Sequence, residues 1–170
     1  GHAGAREFFD FHEDLETLFQ FQEAYDRGNY SKALELIIPV AEKGIPIAQN
    51  AMGIMYAKGH GVAQDKAEAM GWWQKAAEQG FAEAQYNLGL SLAEGDGVAK
   101  DPARAVFWWQ KAAGQDNASA QFNLGIMYAW GLGVMQDTSA AVAWYYKAGM
   151  TYLKNGRRED ALKAWDRITR

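Results

Sequence analysis

The sequence predicts an all-α fold, a solenoid of stacked helical hairpins, and three observations predict it. Trp72-Trp73-Gln74-Lys75-Ala76-Ala77 returns as Trp108-Trp109-Gln110-Lys111-Ala112-Ala113 and, more loosely, as Trp144-Tyr145-Tyr146-Lys147-Ala148-Gly149, 36 residues later each time. Ala48, Ala84 and Ala120 keep the same period, as do Gly53, Gly89 and Gly125 and then Tyr56, Leu92 and Tyr128. The turns keep it too: Gly59-His60-Gly61-Val62, Gly95-Asp96-Gly97-Val98 and Gly131-Leu132-Gly133-Val134, each followed by Asp65, Asp101 or Asp137. A fixed period of about 20 to 50 residues marks a stacked repeat.

Each element of the repeat has a local cause. Ala48, Met52, Met55 and Tyr56 fall on one face of a helix, helix A, which runs to Lys58. Gly59 stands where a left-handed residue closes the helix. Asp65, Asp101 and Asp137 suit the N-cap of a second helix, helix B, and Pro102 suits its first turn. Helix B is expected at 66–79 and again at 102–114. A helix A of roughly 11 residues is shorter than the roughly 12 to 15 needed for marginal independent stability, so neighbours must supply its order. Gly53 and its equivalents lie inside helix A, which points to close helix packing there.

Before the repeats, Glu23 to Tyr30 reads as a helix end and turn and Ala33 to Lys43 as a second helix closed by Gly44. After them, the third repeat lacks the breaker that Gly80 and Asp116-Asn117 give its predecessors. Residues 139–154 are expected as one long helix or two tightly joined ones, then a turn at Asn155-Gly156 and a charged capping helix from Glu159 to Ile168. The resulting division is 1–6 as a tag or disordered start, then one domain over 7–170. Within it, 7–47 is a capping half repeat, 48–83, 84–119 and 120–148 are repeats, and 149–170 is a C-terminal cap.

Trp72, Trp108 and Trp144 occupy equivalent places in helix B and read as core between repeats; Trp73, Trp109 and Tyr145, about 100° around the helix, read as lining the adjoining interface. Trp130 differs, because its equivalents are Lys58 and Glu94. An aromatic at an otherwise charged position is expected to be exposed and to serve as a binding anchor.

The pattern Ala84-x3-Leu88-Gly89-x5-Gly95-x-Gly97-Val98-x2-Asp101-x2-Arg104-Ala105-x2-Trp108-x2-Lys111-Ala112-Ala113 resembles the Sel1-like repeat, a relative of the tetratricopeptide repeat. Gly149, Tyr152, Ala161 and Trp165 are similar to a tetratricopeptide unit. The resemblance implies a right-handed α-solenoid that acts as a non-catalytic scaffold, with a protein or peptide in a concave groove lined by A helices. Carried over on the motif glycines, the groove positions are Asn50, Tyr86 and Phe122; Ala51, Asn87 and Asn123; Ile54, Leu90 and Ile126; and Lys58, Glu94 and Trp130. Asn87 and Asn123 suit a peptide backbone, since an amide both donates and accepts; an internal bond between A helices is the other reading. No cluster of lysine and arginine awaits a terminal carboxylate.

Composition excludes several classes. With 17 basic and 21 acidic residues the net charge is -4, and no basic run exists for phosphates, so nucleic acid is not an expected partner. No stretch of about 18 apolar residues spans a membrane. Without cysteine there is neither a disulfide nor a thiolate site, and His2, His12 and His60 lack second ligands at metal spacing, so no metal or cofactor is expected. His60 shares its position with Asp96 and Leu132 and reads as an exposed loop tip. The recurrent aspartates read as caps, not as a carboxylate array. Gly1 to Ala5 lacks the apolar core of a signal peptide. The compartment, periplasmic, secreted or cytoplasmic in a bacterium, stays open.

Two further roles fit the sequence: an envelope protein binding or acting on glycan or peptidoglycan, and an oligomerisation or regulatory module of a longer protein. For the second, the segment from Glu7 to Gln20, with Phe8, Phe9, Phe11, Leu15, Leu18 and Phe19, is apolar enough to cap the solenoid or dock in another copy's groove.

Overall fold

The computed structural model describes residues 2–169, and side chains from His12 onward. Among the described residues every regular element is a helix: α1 (His2–Asp26), α2 (Tyr30–Glu42), α3 (Pro46–Lys58), α4 (Lys66–Glu78), α5 (Ala82–Glu94), α6 (Pro102–Ala113), α7 (Ala118–Trp130), α8 (Thr138–Lys154) and α9 (Arg158–Asp166). The chain divides into two compact units, Gly1–Gln79 and Gly80–Arg170, within the span read above as one domain. In the first, α1 packs on α2, α2 on α3 and α3 on α4; in the second, α5 to α9 pack each on the next.

The helix ends follow from the residues that cap them. Asp65, Asp101 and Asp137 accept hydrogen bonds from the amides of Glu68, Arg104 and Ala140 at 2.9, 3.0 and 2.9 Å. Asn29 and Asn117 cap α2 and α7 in the same way. The A helices start two residues earlier than expected, at Pro46, Ala82 and Ala118. The B-to-A turns need a left-handed residue, supplied by Gly44 and Gly80 at φ 89° and by Asp116 at φ 59°. The next position in this series is Tyr152, which stays helical, so α8 runs unbroken to Lys154.

The A and B helices meet through a glycine and a ring. A Cβ on Gly53 would overlap the Trp73 indole, one on Gly89 would lie 2.5 Å from Trp109 Nε1, and one on Gly125 would lie 2.5 Å from the Tyr145 ring. Gly149 makes the same contact with Trp165. This corrects the expected order of the tryptophans. The second aromatic of each pair is the inner one: Trp73, Trp109 and Tyr145 are all buried, whereas of the first set only Trp108 is. Trp72 and Trp144 are half-buried under the ammonium groups of Lys75 and Lys147.

A set of glutamines closes the other side of the hairpin. Gln49, Gln85 and Gln121, one per A helix, are buried. Gln79 donates to Gln49 Oε1 at 2.8 Å and to the Gly44 carbonyl at 2.9 Å; Gln115 donates likewise to Gln85 Oε1 and the Gly80 carbonyl at 3.0 and 2.8 Å. In the third repeat the matching residue is Thr151, too short to reach, and Gln121 Oε1 is left buried without a partner.

Around these contacts lie two cores. In the first unit Phe21, Ile37, Val40, Met52 and Met55 cluster, with Leu18 of α1 packed against them. In the second, Ala118, Ala148, Tyr152, Ala161 and Ala164 join α7, α8 and α9, so α8 serves both as helix B of the third repeat and as the inner helix of the cap. Phe8, Phe9 and Phe11 lie outside the described side chains; Leu15 is half-buried and Phe19 exposed.

Two substitutions separate the role of the glycines from simple helix propensity. Gly89→Ala should lower unfolding free energy by about 1 to 3 kcal/mol through overpacking against Trp109. Gly71→Ala, at a glycine inside α4 with open space around its Cα, should raise it by about 0.5 to 1 kcal/mol. Urea unfolding of both variants measures the pair, and equal effects would contradict the packing account.

Candidate functional site

The candidate site is built on α5 and α7, the A helices of the second unit. Tyr86 is half-buried and its hydroxyl oxygen accepts a hydrogen bond from the Asn123 side chain. Asn123 thus links α7 to α5, the internal bond that the sequence offered as one of its two readings. Phe122 is half-buried and packs on Tyr145, ring centroids 5.5 Å apart, against the core of α7, α8 and α9. Asn87 is half-buried and engaged. Glu94 and Trp130 end their helices in the open.

Between the two helices lies a shallow depression of about 160 Å³, lined by Leu90, Ala93, Glu94, Trp109, Asn123, Ile126 and Met127. Four of the sequence-derived groove positions, Leu90, Glu94, Asn123 and Ile126, therefore come together. Trp109 joins them from helix B, and its indole N–H donates to the Tyr86 carbonyl at 3.1 Å. One residue thus stacks on Gly89, fixes the Tyr86 backbone and floors the depression.

In the first unit the expected positions fare differently. Asn50 is only 4 % exposed and engaged, so it belongs to the interior and not to an open groove. Ala51 and Ile54 are half-buried, and Lys58 is exposed. His60 is also corrected. Its ring stacks on Tyr30 at 3.9 Å with planes 13° apart, and its Nδ1 shares a hydrogen bond of 2.9 Å with the Tyr25 hydroxyl, so it docks the turn onto the α1–α2 corner. Among the described residues no three His, Cys, Asp or Glu side chains gather closely enough to hold a metal ion.

The repeat has a known counterpart. A model of the Sel1 repeat matches residues 46–81, 82–117 and 118–150, more than half of the chain. The chain belongs to the Sel1 repeat family. The Sel1 units begin at the first residues of α3, α5 and α7, which places each boundary at the start of helix A. Solved Sel1 structures share the fold. A Sel1 repeat protein from Oxalobacter formigenes is 36% identical with a TM-score of 0.74, over 81% of this chain and 59% of its own. A protective antigen of uropathogenic Escherichia coli strains, displaying an SLR fold, is 29% identical with a TM-score of 0.78, over 99% of this chain and 40% of its own. Helicobacter pylori cysteine rich protein B, 22% identical with a TM-score of 0.52 over 78% of this chain and 88% of its own, shares the fold. The chain spans 59% and 40% of the first two relatives. Among curated proteins none matches. The all-α Sel1 solenoid class is thereby established, and no helix of the described residues is long and apolar enough to cross a membrane.

Burial holds the Tyr86 hydroxyl above its ordinary value of 10.0, with the neighbouring Tyr152 adding to the shift and the Asn123 amide opposing it. Tyr25 and Tyr145 are raised by burial as well. The folded chain thus holds these protons more tightly than the unfolded one. Their contribution to stability is complete below pH 10.0 and is lost as pH rises through the raised values. Unfolding midpoints followed into alkaline solution should fall, and fall less steeply for Tyr86→Phe, which also loses a hydrogen bond of about 0.5 to 1.5 kcal/mol at neutral pH.

Proposed function

We propose that this Sel1 repeat protein is a non-catalytic interaction scaffold that holds a protein or peptide segment against the outward face of its A helices. The observation that carries the reading is the difference between positions that repeat and positions that do not. Residues matched from repeat to repeat cap helices, turn corners or fill the hairpin. Those that change, Lys58, Glu94 and Trp130, stand at the exposed ends of the A helices. Variation there leaves the hairpin intact, so it is free to set specificity.

The face of α5 and α7 has the features of a small interaction site. An apolar floor lies between the helices, the Tyr86–Asn123 pair crosses beside it, and Trp130 is 70 % exposed one turn beyond Ile126 and Met127. An exposed tryptophan one turn beyond two residues of an apolar depression is the kind of residue that carries interface energy. Asn123 contributes by fixing Tyr86 and by offering its remaining polar valences to a partner's backbone.

Affinity capture from a lysate of the native organism, run with the parent chain and with the combined Asn87→Ala, Asn123→Ala and Trp130→Ala variant, tests this. Proteins retained by the parent should be lost or strongly depleted with the variant. Retention unchanged by all three substitutions, with the variant shown to be folded by circular dichroism, would place the interaction elsewhere.

A further inference from the structure

The α5–α7 face is asymmetric in a way that specifies the chemistry of what it binds. At the end of α7 and in the turn after it, the third repeat replaces polar or small residues with large apolar ones: Trp130 for Glu94 and Lys58, Leu132 for Asp96 and His60, Met135 for Ala99 and Ala63. All three are exposed, at 70 %, 46 % and 86 %. The hairpin does not need them, because the first two repeats close their turns without them. Glu94 is exposed at the last position of α5, lines the depression and makes no ion pair among the described residues.

Size narrows the occupant. The depression, about 160 Å³, is smaller than the roughly 300 to 1,000 Å³ of small-molecule sites, so it suits one side chain and not a metabolite. Its walls, Leu90, Ala93, Ile126, Met127 and the Trp109 ring, call for an aliphatic one. Charge narrows it further. Glu94 is the one ionisable group in that lining, and its carboxylate supplies an acceptor for a cation at the rim.

We propose that this face binds a partner segment in which an aliphatic side chain, seated in the depression, is followed closely by a lysine or arginine that pairs with Glu94 at its rim. The proposal rests on the groove reading above and gives the partner's chemistry. The chain's own N-terminal segment is a poor fit by the same criterion. Between Glu7 and Gln20 it carries Glu7, Asp10, Glu13, Asp14 and Glu16 and no lysine or arginine, so Glu94 would repel it. The overall charge of -4 likewise favours a basic partner over a second copy.

Random short peptides displayed on phage and selected against the purified full chain and against Glu94→Lys test the proposal. Lysine is compatible with that place, since Lys58 ends α3 at the equivalent position. The parent should enrich peptides with an aliphatic residue close to a basic one, and Glu94→Lys should enrich aliphatic residues close to acidic ones. A parent-selected peptide, synthesised with a fluorescent label, should bind Glu94→Lys roughly two- to tenfold more weakly, the size expected for one rim ion pair. The same charge pattern in both selections, or no enrichment with either, overturns the proposal. The two levels stay distinguishable: selected peptides that lose affinity for Asn123→Ala and Trp130→Ala yet ignore Glu94 leave the groove reading standing. Peptides indifferent to all three substitutions remove both.

Discussion

A glycine on one helix lying against an aromatic ring on the next is the contact on which the rest of this structure depends. It occurs at Gly53 with Trp73, Gly89 with Trp109, Gly125 with Tyr145 and Gly149 with Trp165. A Cβ at any of these glycines would overlap the ring, so at this approach only glycine fits, at a cost of about 1 kcal/mol in helix propensity that the ring packing offsets. Each residue makes the other tolerable. The B-helix ring turned onto A also reaches the candidate site, whose depression lies between α5 and α7. Trp109 joins the two regions, since one indole packs on Gly89, bonds the Tyr86 carbonyl and floors the depression.

The third repeat shows what happens when part of the pattern is withdrawn. Tyr152 replaces the left-handed turn residue, Thr151 replaces the glutamine that closes the hairpin, and the helix runs on. The glycine contact survives the change and is used twice along α8, with Tyr145 facing back to Gly125 and Gly149 facing forward to Trp165. The terminal cap is thus the same packing device at a shorter spacing.

Much of this was legible because it repeats. A period of 36 residues fixes the number of hairpins, and the chemistry of Gly59, Asp65 and Pro102 fixes where helices stop and start. What escaped depended on choosing between adjacent residues or on contacts distant in sequence. Trp72 and Trp73 look alike in a periodicity, and only the partner glycine decides which is inside. Gln49, Gln85 and Gln121 kept the period in plain view, but glutamine is so often exposed that recurrence alone did not signal a buried polar link. His60 was read from its varied position as a loop tip, whereas Tyr25 and Tyr30, from another corner of the first unit, receive it. Asn50 shares its motif position with the half-buried Tyr86 and is nearly fully buried, a difference that a shared repeat position does not encode.

The division of labour between recurring and varying residues is the central claim, and footprinting tests it most directly. Hydrogen exchange measured on the chain alone and with a captured partner should show added protection on α5 from Leu90 to Glu94 and on α7 from Asn123 to Trp130. Protection confined to the outer surfaces of α4, α6 or α8, with those two stretches unchanged, would contradict it.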